Sequence, residues 1–359
     1  MRLARHTGLL HDLYFSKSHT TLLSRRHKAY ILKHRRGFLP PDLKDVPGAI
    51  GCLYGMLPDV DEYSRFVLPL EVVKEYHRMG FVKIPQLVLD GRQVDVLNDE
   101  VQQLENNVEH HPKMEYLYGT SLSNLTEGPL FTSQGVWRAC WGLHDLVHLP
   151  FLTVAASQAL GNAAVRLWYD EVHRKSPRIG PFTPWRQNYA LWQQVTTPAS
   201  GHASLFLAFD YLTKDRGAPC LIPGSHRWRE EGEELLQVPF TAEDEMQQMN
   251  SIWEHLREEE VEALQDSPPV TLELRRGEAL LIHPLTIHAV HGNRSALPCR
   301  SATVHYCDTS VRAARSGAVL PNCTQLFHEG EVLTGTHFPI VFDPEVVEDL
   351  PLLTSDEAL

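Results

Sequence analysis

The chain of 359 residues has few cysteines, six in all, and no two of them form a Cys-x-x-Cys pair. They are also too sparse for a disulfide scaffold in a chain of this length, and the sulfurs read as free thiols of a reducing compartment. Long apolar runs are missing too. The longest are strand-sized, such as Leu280–Ile282, so no segment approaches the roughly 18 apolar residues of a spanning helix. Gly-x-Ser-x-Gly is absent, as are Gly-x-Gly-x-x-Gly and any loop ending in Gly-Lys-Ser or Gly-Lys-Thr. The absences remove the hydrolase elbow, the dinucleotide fingerprint and the phosphate loop. No internal repeat or low-complexity block occurs. What remains, at 43% hydrophobic and 22% charged, is the composition of a globular protein with a full-sized core.

The net charge of −12 is unevenly spread. Residues 1–36 hold nine Lys or Arg against a single acid, Asp12, so this segment is +8 and the rest is −20. A basic, acid-poor stretch with interleaved leucines and hydroxyl residues matches a mitochondrial transit peptide, and no apolar core of a secretory signal follows the first arginines. A retained arm that contacts RNA or an acidic protein partner fits as well, as does a merely solvated tail. Tyr14, Phe15 and Tyr30 could stack on bases. Residues 37–66, with four prolines between Pro40 and Pro58, read as an extended connector.

From Val67 to about residue 350 the pattern is that of one body, followed by a short tail, 351–359. Leu70, Val73, Tyr76 and His77 fall on one helical face before Gly80 and the apolar run Phe81–Ile84, and Val94, Leu97, Val101 and Leu104 form a second helical stripe. A third helix is expected over 152–160. From Asn188 onward short β-prone runs take over: 190–195, 204–209, 270–274, 279–283, 287–291 and 302–307. An acidic insertion, 229–268, interrupts them and carries Met246, Met249, Ile252, Trp253 and Leu256 at helical spacing, which predicts a surface helix with its stripe facing the core. Helices first and short strands afterwards indicate an α+β fold built on a β-barrel or jelly roll.

The most specific string is Leu221-Ile222-Pro223-Gly224-Ser225-His226. Phe182-Thr183-Pro184-Trp185 lies upstream, and Gly277 through His283, His288, Asn293 and Arg300 lie downstream. In this order and spacing, from about Val67 to Asp308, the sequence resembles the phytanoyl-CoA dioxygenase family. The resemblance implies a double-stranded β-helix holding Fe(II) and 2-oxoglutarate, the iron gripped by two histidines and a carboxylate. It assigns the last ligand to His288, the following asparagine to Asn293, and the co-substrate arginine to Arg300.

The family's other two ligands, a His-x-Asp after Thr-Pro-Trp, have no counterpart. Arg186-Gln187-Asn188 stands there, and no His-x-Asp or His-x-Glu occurs anywhere in the chain. A guanidinium has no lone pair for a metal, and a neutral amide does not replace a carboxylate. At about 4 Å, with an effective dielectric near 20, Arg186 would repel a dication by roughly 8 kcal/mol. The pair His144-Asp145 lies about forty residues too early, whereas His202, His283, His291 and His305 sit in or beside expected strands, where a histidine is ordinarily hydrogen-bonded in the sheet.

The expectation is thus a degenerate site with no metal and no catalytic residue. Arg186, His288 and Arg300 would converge at the barrel mouth as an anion pocket, unless Arg186 pairs with one of the many acids of the body. The protein would serve as a subunit of a mitochondrial protein or RNA-protein assembly. The alternative is an Fe(II)/2-oxoglutarate-dependent hydroxylase that joins substitute ligands to His288.

Overall fold

The computed structural model describes residues 42–46, 48–53, 58, 60–107, 129–240, 244–321 and 323–346. The basic segment 1–36, the start of the connector and the tail 351–359 lie outside them. The described part of the connector is no loose linker. Leu43, Val46 and Ile50 are buried, and the carboxylate of Asp145 accepts the backbone N–H groups of Ile50, Gly51, Cys52 and Leu53. The His144-Asp145 pair is accounted for by this clamp and by the contacts of His144 with the carbonyls of Trp137 and Gly48.

Helix α1 (Leu70–Met79) buries Val73 and Tyr76 and ends at Gly80, whose φ of 81° only glycine adopts without strain. There is no room for a side chain either, since a Cβ would stand 2.5 Å from His226 Nδ1 and from Thr286 Oγ1. Strand β1 (Phe81–Lys83) follows, then α2 (Gly91–Asn107), β2 (Leu130–Gln134), α3 (Trp141–Leu146) and α4 (Pro150–Ala159). The strands β3 (Val165–Lys175), β4 (Thr183–Arg186), β5 (Thr196–Thr197), β6 (His202–Ala208) and β7 (Pro219–Leu221) come next. The insertion holds α5 (Glu245–Asn250) and α6 (Glu258–Asp266), and β8 (Val270–Thr271), β9 (Ala279–Ile282), β10 (His288–Val290), β11 (Cys299–Asp308), β12 (Arg312–Ala313) and β13 (Ile340–Phe342) complete the order.

All pairings are antiparallel. Seven strands form one sheet, in the order β1-β9-β6-β11-β3-β13 with β2 also on β3, and four form a second, β4-β10-β7-β8. The two make the double-stranded β-helix that the sequence predicts. Side chains alternate across each strand. Ala203, Leu205 and Leu207 of β6, with Ala302, Val304 and Tyr306 of β11, pack into one core with Leu97, Val101, Leu143 and Leu152 of the helices. Their neighbours, Ser204 and Phe206 of β6 and Cys299, Ser301, Thr303 and His305 of β11, face the barrel interior. The outer face of the smaller sheet, through Cys220, Ile222, Ile287 and Ala289, is covered by Leu236, Val238, Ile252 and Leu264 of the insertion.

Two expectations are corrected, and one strand is added that the sequence did not reveal. Residues 190–195 are not a strand: Asn188–Leu191 is a 3₁₀ turn, and Tyr189 and Trp192 anchor it in a buried aromatic cluster. The insertion is two short helices, with Met249, Ile252 and Leu256 turned inward but Met246 and Trp253 exposed. The longest strand, β3, carries Arg166, Asp170, Glu171, Arg174 and Lys175, so its composition hides it, yet both of its faces are buried.

Candidate functional site: the barrel interior

Strand pairing places Arg186 directly opposite His288, and His288 opposite Leu221. Partners in register share a face, and Leu221 belongs to the interior cluster with Phe206, Leu280, Ile282 and Cys299. Arg186 and His288 therefore both point into the barrel. Burial holds the His288 imidazole neutral, its pKa lowered to about 4 with the charge of Arg186 adding to the effect. Its Nδ1 lies 2.9 Å from the carbonyl of Thr286, which can only accept, so Nδ1 carries the hydrogen and Nε2 keeps a lone pair.

Among the described residues Arg186 has no side-chain partner. No ion pair or side-chain hydrogen bond joins its guanidinium to any described residue, and its Nε is buried and unpaired. The alternative of an internal ion pair with an acid of the body is therefore not what the described residues display.

Asn188, two residues on, is committed elsewhere. Its amide donates to Ser204 Oγ at 3.3 Å, Ser204 meets His305 Nδ1 at 2.8 Å, and His305 Nε2 lies 3.5 Å from Glu171 Oε1. The same carboxylate oxygen is 3.3 Å from His173 Nε2, and Gln134 donates to the other oxygen at 3.3 Å. Burial pushes the Glu171 carboxyl up, but the two histidines outweigh it and hold the pKa well below the usual range. The His305 imidazole is lowered, chiefly by burial and against the pull of Glu171. This buried polar line across β3, β6 and β11 was missed from the sequence, although Glu171 and His173 sit two apart on one strand and so share a face.

Arg300 does not join Arg186. It lies in register opposite Arg174, on the face of the large sheet turned toward the helices. There Arg174 is ion-paired with Glu105 of α2, and Arg300 reaches Asp210, whose Oδ2 accepts its backbone N–H at 2.9 Å and its Nη1 at 3.4 Å. The expected three-way convergence reduces to Arg186 with His288. Asn293 is a turn residue, donating to the carbonyls of Lys175 and Leu297 and accepting from Ser295. Lys175 does face inward, but its ammonium is spent on Thr183 Oγ1 and the carbonyls of Val290 and His291.

The Pro223-Gly224-Ser225-His226 string has a structural task. Ser225 Oγ donates to the carbonyl of Ile222 and accepts from the N–H of Ile287, tying the turn to the residue before β10. His226 and Arg227 both donate to the carbonyl of His77, satisfying the C-terminal end of α1. His202 and His291 are likewise hydrogen-bonded to their surroundings, at Pro198 and Glu245, and His283 Nδ1 accepts from the N–H of Leu285. Among the described residues no group of three His, Cys, Asp or Glu side chains is placed to hold a metal ion.

The phytanoyl-CoA dioxygenase (PhyH) family model matches residues 57–302, more than half of the chain. The chain belongs to the phytanoyl-CoA dioxygenase family. Solved structures agree on the fold. The epimerase SnoN in complex with Fe3+, alpha ketoglutarate and nogalamycin RO superposes with a TM-score of 0.55 at 21% identity, over 76% of this chain and 98% of that one. The non-heme alpha ketoglutarate dependent carbocyclase SnoK from nogalamycin biosynthesis gives 0.54 at 19%, over 76% and 96%, and the apoform of EctD from S. alaskensis 0.54 at 16%, over 77% and 86%. At these identities the likeness establishes the double-stranded β-helix alone. No curated protein matches the chain.

Proposed function

We propose that this phytanoyl-CoA dioxygenase-family domain does not bind iron in the family's manner and works as a binding or structural subunit. The observation that carries the reading is Arg186: a guanidinium with no acid paired to it among the described residues occupies a ligand position, in register with the remaining ligand position, His288. The three positions offer a permanent cation, an amide already donating to Ser204, and one imidazole. They do not fit Fe(II), which needs two imidazoles and a carboxylate from this set. The guanidinium is partly exposed but its Nε is buried without a partner among the described residues, and a bound anion would offset the cost of leaving it so.

The wider setting is part of the same proposal. The basic segment 1–36 supports import into mitochondria or, if retained, a salt-dependent contact with RNA or an acidic protein of an assembly. Among the described residues no helix is long and apolar enough to cross a membrane.

Purified protein supplied with ferrous ion and 2-oxoglutarate decides between this reading and a hydroxylase with substitute ligands. Substoichiometric iron and no succinate are expected. Iron at one equivalent with succinate formed would overturn the proposal. The double variant Arg186→His with Asn188→Asp is expected to take up iron that the natural sequence does not.

A further inference from the structure

The barrel interior gathers hydrogen-bonding groups that the protein leaves unused. Arg186 offers its guanidinium, and His288 offers an acceptor lone pair at Nε2, fixed by the bond its Nδ1 makes. Ser301 and Thr303 of β11 face inward, opposite His173 and Glu171 in register, and their hydroxyls bond to no described residue. Glu171 brings the opposite charge. A carboxylate has about four acceptor sites, and Gln134, His173 and His305 take three, which leaves one.

Arg186 and Glu171 do not touch, but Arg186 lies in register with inward-facing His288 and Glu171 with inward-facing Thr303, so both face the interior from different strands. The charge inventory of that space is short. Lys175 has no N–H to spare, and Arg300 lies on the other face of the sheet. Among the described residues the interior thus has one available cation and one carboxylate, flanked by hydroxyls and a neutral imidazole. A second anionic group on a ligand would find no cation and would meet Glu171.

We propose that the barrel interior binds a small acid with a single anionic group and a hydrogen-bond-donating opposite end, in the simplest case an amino acid. Its carboxylate lies on Arg186, and its ammonium or hydroxyl faces Glu171 and His288 Nε2. This rests on the reading that the site does without iron, and it excludes 2-oxoglutarate, with its two carboxylates and no donor, as the preferred ligand.

Glutamine, glutamate and 2-oxoglutarate share a five-carbon chain and separate these features. Glutamine has one carboxylate and an ammonium, glutamate two carboxylates and an ammonium, and 2-oxoglutarate two carboxylates alone. Isothermal titration of the full chain in chelator is expected to rank them in that order, with glutamine ahead of 2-oxoglutarate by roughly tenfold or more. Arg186→Met should abolish binding of all three. Glu171→Gln should narrow or reverse the gap, and Thr303→Val, which leaves the buried polar line intact, should weaken glutamine several-fold should Glu171→Gln fail to fold. The proposal is overturned if 2-oxoglutarate binds tightest without metal, if none of the three binds at millimolar concentration, or if Arg186→Met still binds. None of those results depends on the iron and succinate assay, so a failure here leaves the parent reading standing. Iron-dependent turnover would remove that reading first.

Discussion

The helix-facing side of the large sheet and the barrel interior handle charge in opposite ways. Toward the helices, Arg174 meets Glu105 and Arg300 meets Asp210, so each guanidinium has its carboxylate. Toward the barrel, Arg186 stands unpaired while Glu171 is surrounded by histidines and an amide. Pairing on the outer face is what a structural arginine needs. An unsatisfied guanidinium on the inner face is what a binding site tolerates, because the ligand completes it. The difference is what the proposed site requires, and it is drawn without reference to any relative.

The comparison breaks most easily at its best-paired point. Glu105→Ala leaves Arg174 buried beside Arg300 with no carboxylate of α2, and a loss of about 3–5 kcal/mol is expected in urea unfolding. A loss below about 1 kcal/mol would mean that the outer face is no better satisfied than the inner one.

Acid tests the inner face. His288, whose pKa is about 4 in the folded chain, titrates near 6.5 when unfolded, so the unfolded state binds the proton first as pH falls. Its contribution is unaffected above about pH 6.5, is lost progressively as pH drops, and is gone by about pH 4. Between pH 6.5 and 5 the loss is up to about 2 kcal/mol for this one group. His202 and His226, also lowered to about 4, steepen the same window. Unfolding midpoints measured across it should fall with pH, and His288→Gln should fall less steeply. An unchanged slope would place His288 in contact with solvent.

How much of this was legible beforehand follows from which signal each element leaves. The stripes of α1 and α2, and the apolar runs of β6, β9 and β11, were readable because one face of each is buried against the other layer. Strand β3 was not, since its inward residues are Glu171, His173 and Lys175 and its charges mimic a surface segment. The Arg186 and Asn188 departures were visible because a motif fixed where to look. That Arg300 faces the helices was not, since a motif states spacing, whereas the face is set by the register that puts Arg300 opposite Arg174. The inner polar line joins three strands distant in sequence, and only the topology assembles it.

The smallest predicted effect is the sharpest, because it is a difference in sign. Arg186→Met removes a half-buried guanidinium whose Nε is buried without a partner among the described residues and substitutes an unbranched apolar chain of similar reach, so the ligand-free protein should gain up to about 1 kcal/mol. Arg300→Met removes a partner of Asp210 on a partly exposed face, where Asp210 keeps the backbone N–H of residue 300, and should cost about 1 kcal/mol. Thermal unfolding of the two variants beside the natural sequence, in chelator and without added acid, reads both at once. If both substitutions destabilise equally, Arg186 is satisfied by the protein itself, and its place in the barrel is structural.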